Sequence, residues 1–405
     1  MGMIKLAIRN IFRNKRRSFL TALSLSVAGF VIVALHGYMT GVLNTSKEMM
    51  IKLDTGHVLI TTQDYFERRT FLPQDEYIEN TYEIEKTLNE SKYVDFYTLR
   101  IKAGGMLFTR TGATKNVMLM GIDPEKERRA FHIEKENIIE GVYDLSRGCI
   151  VGKELAKTLN LKSGDTLILV SRSVAGGISA IKIPVAAVAN MGYTVFEKSL
   201  VLLSTPDARR LLKTQSGAHE ILVFLKGEKY IDRFLKSISL PGGIVANPYT
   251  FTLGTFAFFF RFADIFYGMI YIVITLLAAF AIVNTMTVAV FERMREIGTL
   301  KSIGMTDSEI FKLFGIEGTL LGASGGLAGS ILGFFINMVL RVRGLSFEEM
   351  IKTFDFPFPY VVRPTTNLLI IILAFAIVTV VSFATSVIPA LQAKRLTPQE
   401  ALRQV

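Results

Sequence analysis

The chain has 405 residues, a formal net charge of +11 and 50% hydrophobic residues. Its apolar residues gather in runs too long for a globular core, which excludes a soluble enzyme, a secreted domain and a disordered chain. One cysteine, Cys149, excludes an intramolecular disulfide, and His36, His57, His132 and His219 show no ligand spacing, so no metal site is expected.

Residues 1–18 carry Lys5, Arg9, Arg13, Lys15, Arg16 and Arg17 and no acidic residue. Ile4, Ile8, Ile11 and Phe12 recur on one helical face, so the spacing predicts an interfacial helix on anionic lipid. The positive-inside rule then puts this end in the cytoplasm. The basic charge is that of a membrane surface, with no nucleic-acid module.

Apolar runs at 19–35, 265–290, 311–340 and 368–388 predict transmembrane helices over 19–40, 261–291, 311–340 and 367–389. Four spans return the tail, 390–405, to the cytoplasm, in agreement with Lys394, Arg395 and Arg403. The external segments are then 41–260 and a short loop, 341–366. The fold class is an α-helical membrane protein with four transmembrane helices and a large extracytoplasmic mixed α/β domain.

Within 41–260, β-rich runs fall at 57–62, 167–170, 181–189 and 200–203, and residues 153–160 form a helix closed by the turn 161–165. Thr205, Pro206 and Asp207 read as an N-cap, a first-turn proline and an acidic first turn. Between two strands, 171–180 reads as a hairpin tip, with Ser171, Arg172, Ser173, Val174, Gly176 and Gly177 expected to protrude toward a periplasmic partner.

In the third span Gly318, Gly322 and Gly326 recur every four residues, as do Gly325, Gly329 and Gly333. These two ridges admit a close helix, either within one protomer or at a dimer or moving interface. Asn284 lies deep enough in span two to want a hydrogen-bond partner, and Glu317 lies about two turns into span three. A structural pairing of Glu317 with Arg293 or Arg295 is favoured over a proton relay.

The loop 292–310 carries an apolar stripe of Met294, Ile297, Leu300 and Ile303, which predicts a short amphipathic helix. Gly304 suits its C-terminal cap, and Thr306 with Glu309 forms a capping box that restarts a helix. Glu292, Arg293, Arg295, Glu296 and Lys301 supply the charges expected on its exposed face, which is either surface-lying or a dock for a cytoplasmic motor. No P-loop, nucleophile elbow or His-Glu-x-x-His occurs.

The run 284–305, whose core is Glu292-Arg293-Met294-Arg295-Glu296-Ile297-Gly298 and which continues to Gly304 and Met305, resembles the hallmark of FtsX-like permeases. That family includes lipoprotein-releasing permeases, the macrolide exporter MacB and the cell-division permease FtsX. Residues 7–17 and 389–403 resemble the family's opening and ending, and 151–156 with 161–165 are similar to its MacB-like periplasmic core domain. The resemblance covers essentially the whole chain. It implies a non-catalytic, mechanotransmitting ABC permease of the bacterial inner membrane, paired with an identical or paralogous permease and two separate ATPase subunits. ATP and Mg would sit on those ATPases, with no cofactor on this chain. The helix within 292–305 would be the coupling helix. No fused ATPase is seen, as MacB has, and the external domain exceeds that of FtsX. Both departures favour the lipoprotein-releasing branch, in which a periplasmic hairpin recruits a lipoprotein chaperone and the cargo is a lipoprotein. Alternatives are an FtsX-like regulator of a periplasmic hydrolase and a MacB-like exporter of peptides or antibiotics.

Overall fold

The computed structural model of the chain describes residues 2–130, 137–192, 194–252, 254–347 and 360–395. His132 and the end of the tail read at 390–405 lie outside them. The chain forms two compact units, one of Met1–Leu43, Phe259–Leu345 and Val362–Val405, the other of Asn44–Phe258 and Ser346–Val361. Within the short loop expected at 341–366, Ser346, Phe347, Tyr360 and Val361 group with the α/β unit.

The helical unit is built from α1 (Gly2–Arg13), α2 (Lys15–Met50), α3 (Gly254–Glu292), α4 (Met294–Ser302), α5 (Asp307–Arg343) and α6 (Leu368–Arg395). Four of these, α2, α3, α5 and α6, contain stretches long and apolar enough to cross a membrane. At 1.5 Å per residue α2 and α5 each extend roughly 55 Å, against about 30 Å of hydrocarbon. These helices therefore outrun the apolar stretches from which their spans were read.

Close packing sets the bundle. Gly325, Gly329 and Gly333 of α5 face Ala22, Ser26 and Phe30 of α2, while Gly318, Gly322 and Gly326 face Ser386, Ser382 and Val378 of α6. A Cβ on Gly329 would overlap the Ser26 carbonyl. Both glycine ridges are occupied by helices of the same chain. Leu25, Ala28, Ile32, Ile282, Met286, Phe314 and Val378 fill the bundle interior. The outer face of α3 carries Leu277, Phe280 and Phe291, all exposed, as lipid contact requires. Asn284 lies exposed on α3, so the buried hydrogen bond expected of it is not made inside this bundle. The satisfied intramembrane amide is instead Asn337, buried in α5, whose Nδ2 donates to the Val33 carbonyl at 2.9 Å.

The second unit is a ten-stranded mixed sheet. Its strands are β1 (Val58–Thr62), β2 (Val94–Phe108), β3 (Thr114–Ile122), β4 (Ile138–Gly141), β5 (Cys149–Gly152), β6 (Thr166–Arg172), β7 (Ile178–Ala189), β8 (Leu200–Ser204), β9 (Glu220–Leu225) and β10 (Ile244–Pro248). The order is β10-β1-β9-β2-β3-β8-β5-β7-β4, with β6 pairing β2 and β7. Two pairs, β3–β8 and β5–β7, are parallel and the rest antiparallel. Apolar clusters cover both faces at the centre. One gathers Leu107, Leu119, Val151, Leu169 and Leu203, the other Met120, Ile122, Ile150, Ala187 and Leu202. Accordingly β5 and β9 are buried at every position, whereas β7 alternates exposed and buried because one of its sides faces solvent.

Two local readings shift. The helix Thr205–Leu212 is capped by Ser204, whose Oγ accepts from Asp207 N at 3.2 Å, so Thr205 is already the first helical residue. Strands β2, β3, β4, β5, β9 and β10 lay outside the β-rich runs read from sequence. A buried charge network also holds this unit together. Lys102 pairs with Asp54 (2.8 Å) and Glu220 (2.7 Å), and Arg69 pairs with the same two carboxylates at 2.7 and 2.8 Å. Beside it, Arg100 binds Glu127 and the Leu53 carbonyl of the π-turn Ile51–Thr55 that follows α2. Burial by itself would raise the Glu220 carboxyl, but Lys102 and Arg69 outweigh it and hold it below its ordinary range.

Candidate coupling site

Helix α3 ends at Glu292, Arg293 breaks the helical geometry with φ −108°, and α4 begins at Met294. Gly304, at φ +106°, then stops α4 with both hydrogen bonds of a Schellman motif. Met305 N donates to the Leu300 carbonyl and Gly304 N to the Lys301 carbonyl, each at 3.0 Å. Thr306 and Glu309 form the reciprocal capping box that opens α5. The sequence folds this way because an αL glycine and a box residue sit two positions apart.

One side of α4 faces the bundle. Ile297 and Gly298 are buried, and Leu300 and Met305 pack on the cluster that includes Ile310, Phe314, Ala390 and Ala393. Ile303 departs from the expected stripe and is 79% exposed, because the Schellman turn swings it outward and seats Met305 instead.

The charges separate in a way their order along the chain does not indicate. Arg293, expected on the exposed face, is buried. Its Nη1 donates to both Glu317 oxygens (3.1 and 3.2 Å) and its Nη2 to the Asn10 carbonyl (3.2 Å). Asn10 Nδ2 donates to Glu317 Oε1 at 2.6 Å. Lys301 is also drawn in, donating to the Lys394 carbonyl at 2.7 Å and pairing with Asp307 at 2.8 Å. Glu292 and Glu296 pair with Arg17 and Arg13. Arg295, Glu296, Thr299 and Ser302 form the exposed face. Asn10 was not singled out from sequence, since one asparagine in a basic leader carries no local signal of a partner 307 residues away.

The hairpin expected to protrude is a tight turn of five residues, 173–177, between β6 and β7, which pair out to Arg172 and Ile178. Ser173 N donates to the Gly177 carbonyl at 2.7 Å, and Gly176 adopts φ +92°. Its tip is tied down. Val174 N donates to the Leu212 carbonyl at 3.0 Å, Ser171 Oγ bonds the Gly104 carbonyl at 2.8 Å, and Ser171 and Ser173 are buried. Of residues 171–180, Arg172, Ala175, Gly176, Gly177, Ala180 and the 81%-exposed Ile178 face solvent, so the free-standing hook is not present.

Residues 18–239 match the family model for the MacB-like periplasmic core domain, and residues 268–398 match that for the FtsX-like permease C-terminal region. The chain belongs to the MacB/FtsX-type ABC transporter permeases. This permease is 22% identical over 307 residues to a lipoprotein-releasing system transmembrane protein LolC of Xylella fastidiosa, covering 71% of this chain and 72% of that one. It is 34% identical over 121 residues to the macrolide export ATP-binding/permease protein MacB of Shewanella oneidensis, covering 30% and 16%. An uncharacterized ABC transporter permease of Methanocaldococcus jannaschii is 22% identical over 84% of each chain. The solved periplasmic region of MacB from Actinobacillus actinomycetemcomitans aligns with 51% of this chain and 95% of its own, at 15% identity and a TM-score of 0.36. In this permease α4 and α5 fall inside the FtsX-like match and the hairpin inside the core-domain match, while α1 precedes both.

Proposed function

We propose that this permease sits in a bacterial inner membrane with both termini cytoplasmic, and that α4 docks a separate ABC ATPase. Two ATPase subunits and a second permease, identical or paralogous, complete the assembly. ATP and Mg act on the ATPase, and this chain binds no cofactor. Motion of the ATPase enters through α4 and drives the periplasmic domain, which extracts lipoproteins and hands them to a periplasmic chaperone. The observation that carries the coupling reading is the form of α4. It is a helix set off by the break at Arg293 and its own Schellman cap at Gly304, with an exposed face of Arg295, Glu296, Thr299 and Ser302, anchored inward by Arg293 on Glu317. Absence of a P-loop from the 405 residues supports ATP binding on another chain. The lipoprotein reading is supported by LolC relatives that align with most of the chain. MacB relatives favour a second reading, export of a peptide or antibiotic.

The test is co-expression with the candidate ATPase, followed by mass spectrometry of proteins and lipids retained in detergent. Retained acylated protein supports lipoprotein release, and a retained peptide or macrolide would sink it. Arg295→Glu combined with Thr299→Glu reverses the exposed charge and should weaken ATPase retention without loss of folded protein. At the hairpin, Arg172→Glu with Ile178→Glu should abolish cargo hand-over while ATP turnover persists. Hand-over that survives removes the hairpin from the mechanism.

A further inference from the structure

Helix α1 is amphipathic, yet its apolar residues Ile4, Ile8 and Phe12 point away from the bundle and are exposed. Ala7 is buried and Met3, Leu6 and Ile11 are half-buried, and beside these apolar contacts α1 has a polar hold on the bundle. That hold converges on Glu317, a buried carboxylate of α5 whose partners come from two other elements. One is Arg293 from the α3–α4 break and the other is Asn10 from α1. Arg293 closes the triangle by donating to the Asn10 carbonyl. Of two outer pairs in solvent, Arg13–Glu296 links α1 to α4 and Arg17–Glu292 links α2 to the end of α3, and such exposed pairs contribute little. A buried carboxylate cannot be left without compensating donors, so Arg293 cannot move away from Glu317 while Asn10 stays behind unless the charge is stranded.

We infer that Asn10, Arg293 and Glu317 are positioning residues that make α1 a rigid member of the coupling unit, so that α1, α4 and the start of α5 are displaced as one body. This rests on the coupling role of α4 proposed above. A displacement of α4 then reaches α2 through α1 as well as α5 through its own N-terminus. The basic N-terminal helix is a mechanical part in addition to a lipid-binding one.

The experiment uses the full chain in lipid nanodiscs with its co-expressed ATPase, spin-labelled at Lys5→Cys in α1 and Ser308→Cys at the start of α5, both exposed and outside the docking face of α4. Pulsed electron-spin distances are read without nucleotide and with a trapped ATP analogue. The otherwise unmodified chain should give one narrow distance that nucleotide leaves unchanged. Glu317→Gln should broaden the distribution and add a second population. Asn10→Ala, which leaves the Arg293–Glu317 pair in place, should free α1 in the same way while the ATPase remains bound. A nucleotide-driven change of distance in the unmodified chain overturns the inference, as do unchanged distributions in both variants, even if those variants unfold at lower temperature. If the ATPase fails to co-purify while the narrow distance and its broadening persist, the coupling reading falls and the three-residue joint stands.

Discussion

At the scale of single residues, burial decides which groups can react. Cys149 lies in β5 between β7 and β8 with no exposed surface, and burial pushes its thiol up to about 12. A thiolate is the reactive form, so folded protein should show no mass shift with a thiol reagent at neutral pH and full labelling in denaturant. His219 is buried against Tyr65 and Tyr77, near Glu220, Lys102 and Asp75, and burial lowers its ring from 6.5 to about 4. Between those values the unfolded chain binds a proton that the folded chain refuses. Stability is therefore complete above pH 6.5 and falls as pH drops toward 4, by roughly 3 kcal/mol. Lowered Glu220 adds a loss in the same direction at the acid end. Thermal unfolding of His219→Gln across this range should give a flatter profile, and an unchanged slope would assign the acid lability elsewhere.

At the scale of elements, the loop helix separates two kinds of arginine. Reversing Arg293 strands Glu317 and should cost about 3–5 kcal/mol, read as a lower melting temperature and poor yield. Reversing exposed Arg295 should change stability by no more than about 1 kcal/mol. Equal melting temperatures for Arg293→Glu and Arg295→Glu would contradict the buried pairing. The glycines of the long helices divide similarly. Gly329→Ala drives a methyl into the Ser26 carbonyl and should destabilise the α2–α5 contact. Gly268 in α3 has open space around it, so Gly268→Ala should be neutral or stabilising through helix propensity, by up to about 1 kcal/mol. Thermal melts of the two alanine variants in the same detergent check both signs.

At the scale of the whole molecule, the proposed topology divides the chain at four candidate spans between two sides of a membrane. A cysteine at exposed Thr111, in the β2–β3 turn, should react with a membrane-impermeant reagent in intact spheroplasts, and one at Ser302 only after lysis. Inert Cys149 can stay in place during that experiment. Labelling of Ser302 before lysis would invert the topology.

The membrane part was legible because a bilayer imposes one long-range rule on a local pattern. Some twenty apolar residues in sequence must cross it as a helix, whatever else they touch. The capping box at Thr306 and Glu309, the stop at Gly304 and the turn at Gly176 were equally readable, since each is a bond between residues fewer than six positions apart. Strand β9 was not, because its register is set by β1 and β2, more than a hundred residues away. Separations well beyond one turn likewise hid the Asp54–Arg69–Lys102–Glu220 network, the seat of Asn10 on Glu317 and the tie from Val174 to Leu212. Composition determined which segments enter the membrane. Only the tertiary structure decided which charges face inward, because a buried ion pair is selected by the geometry of distant elements and leaves no period in the chain.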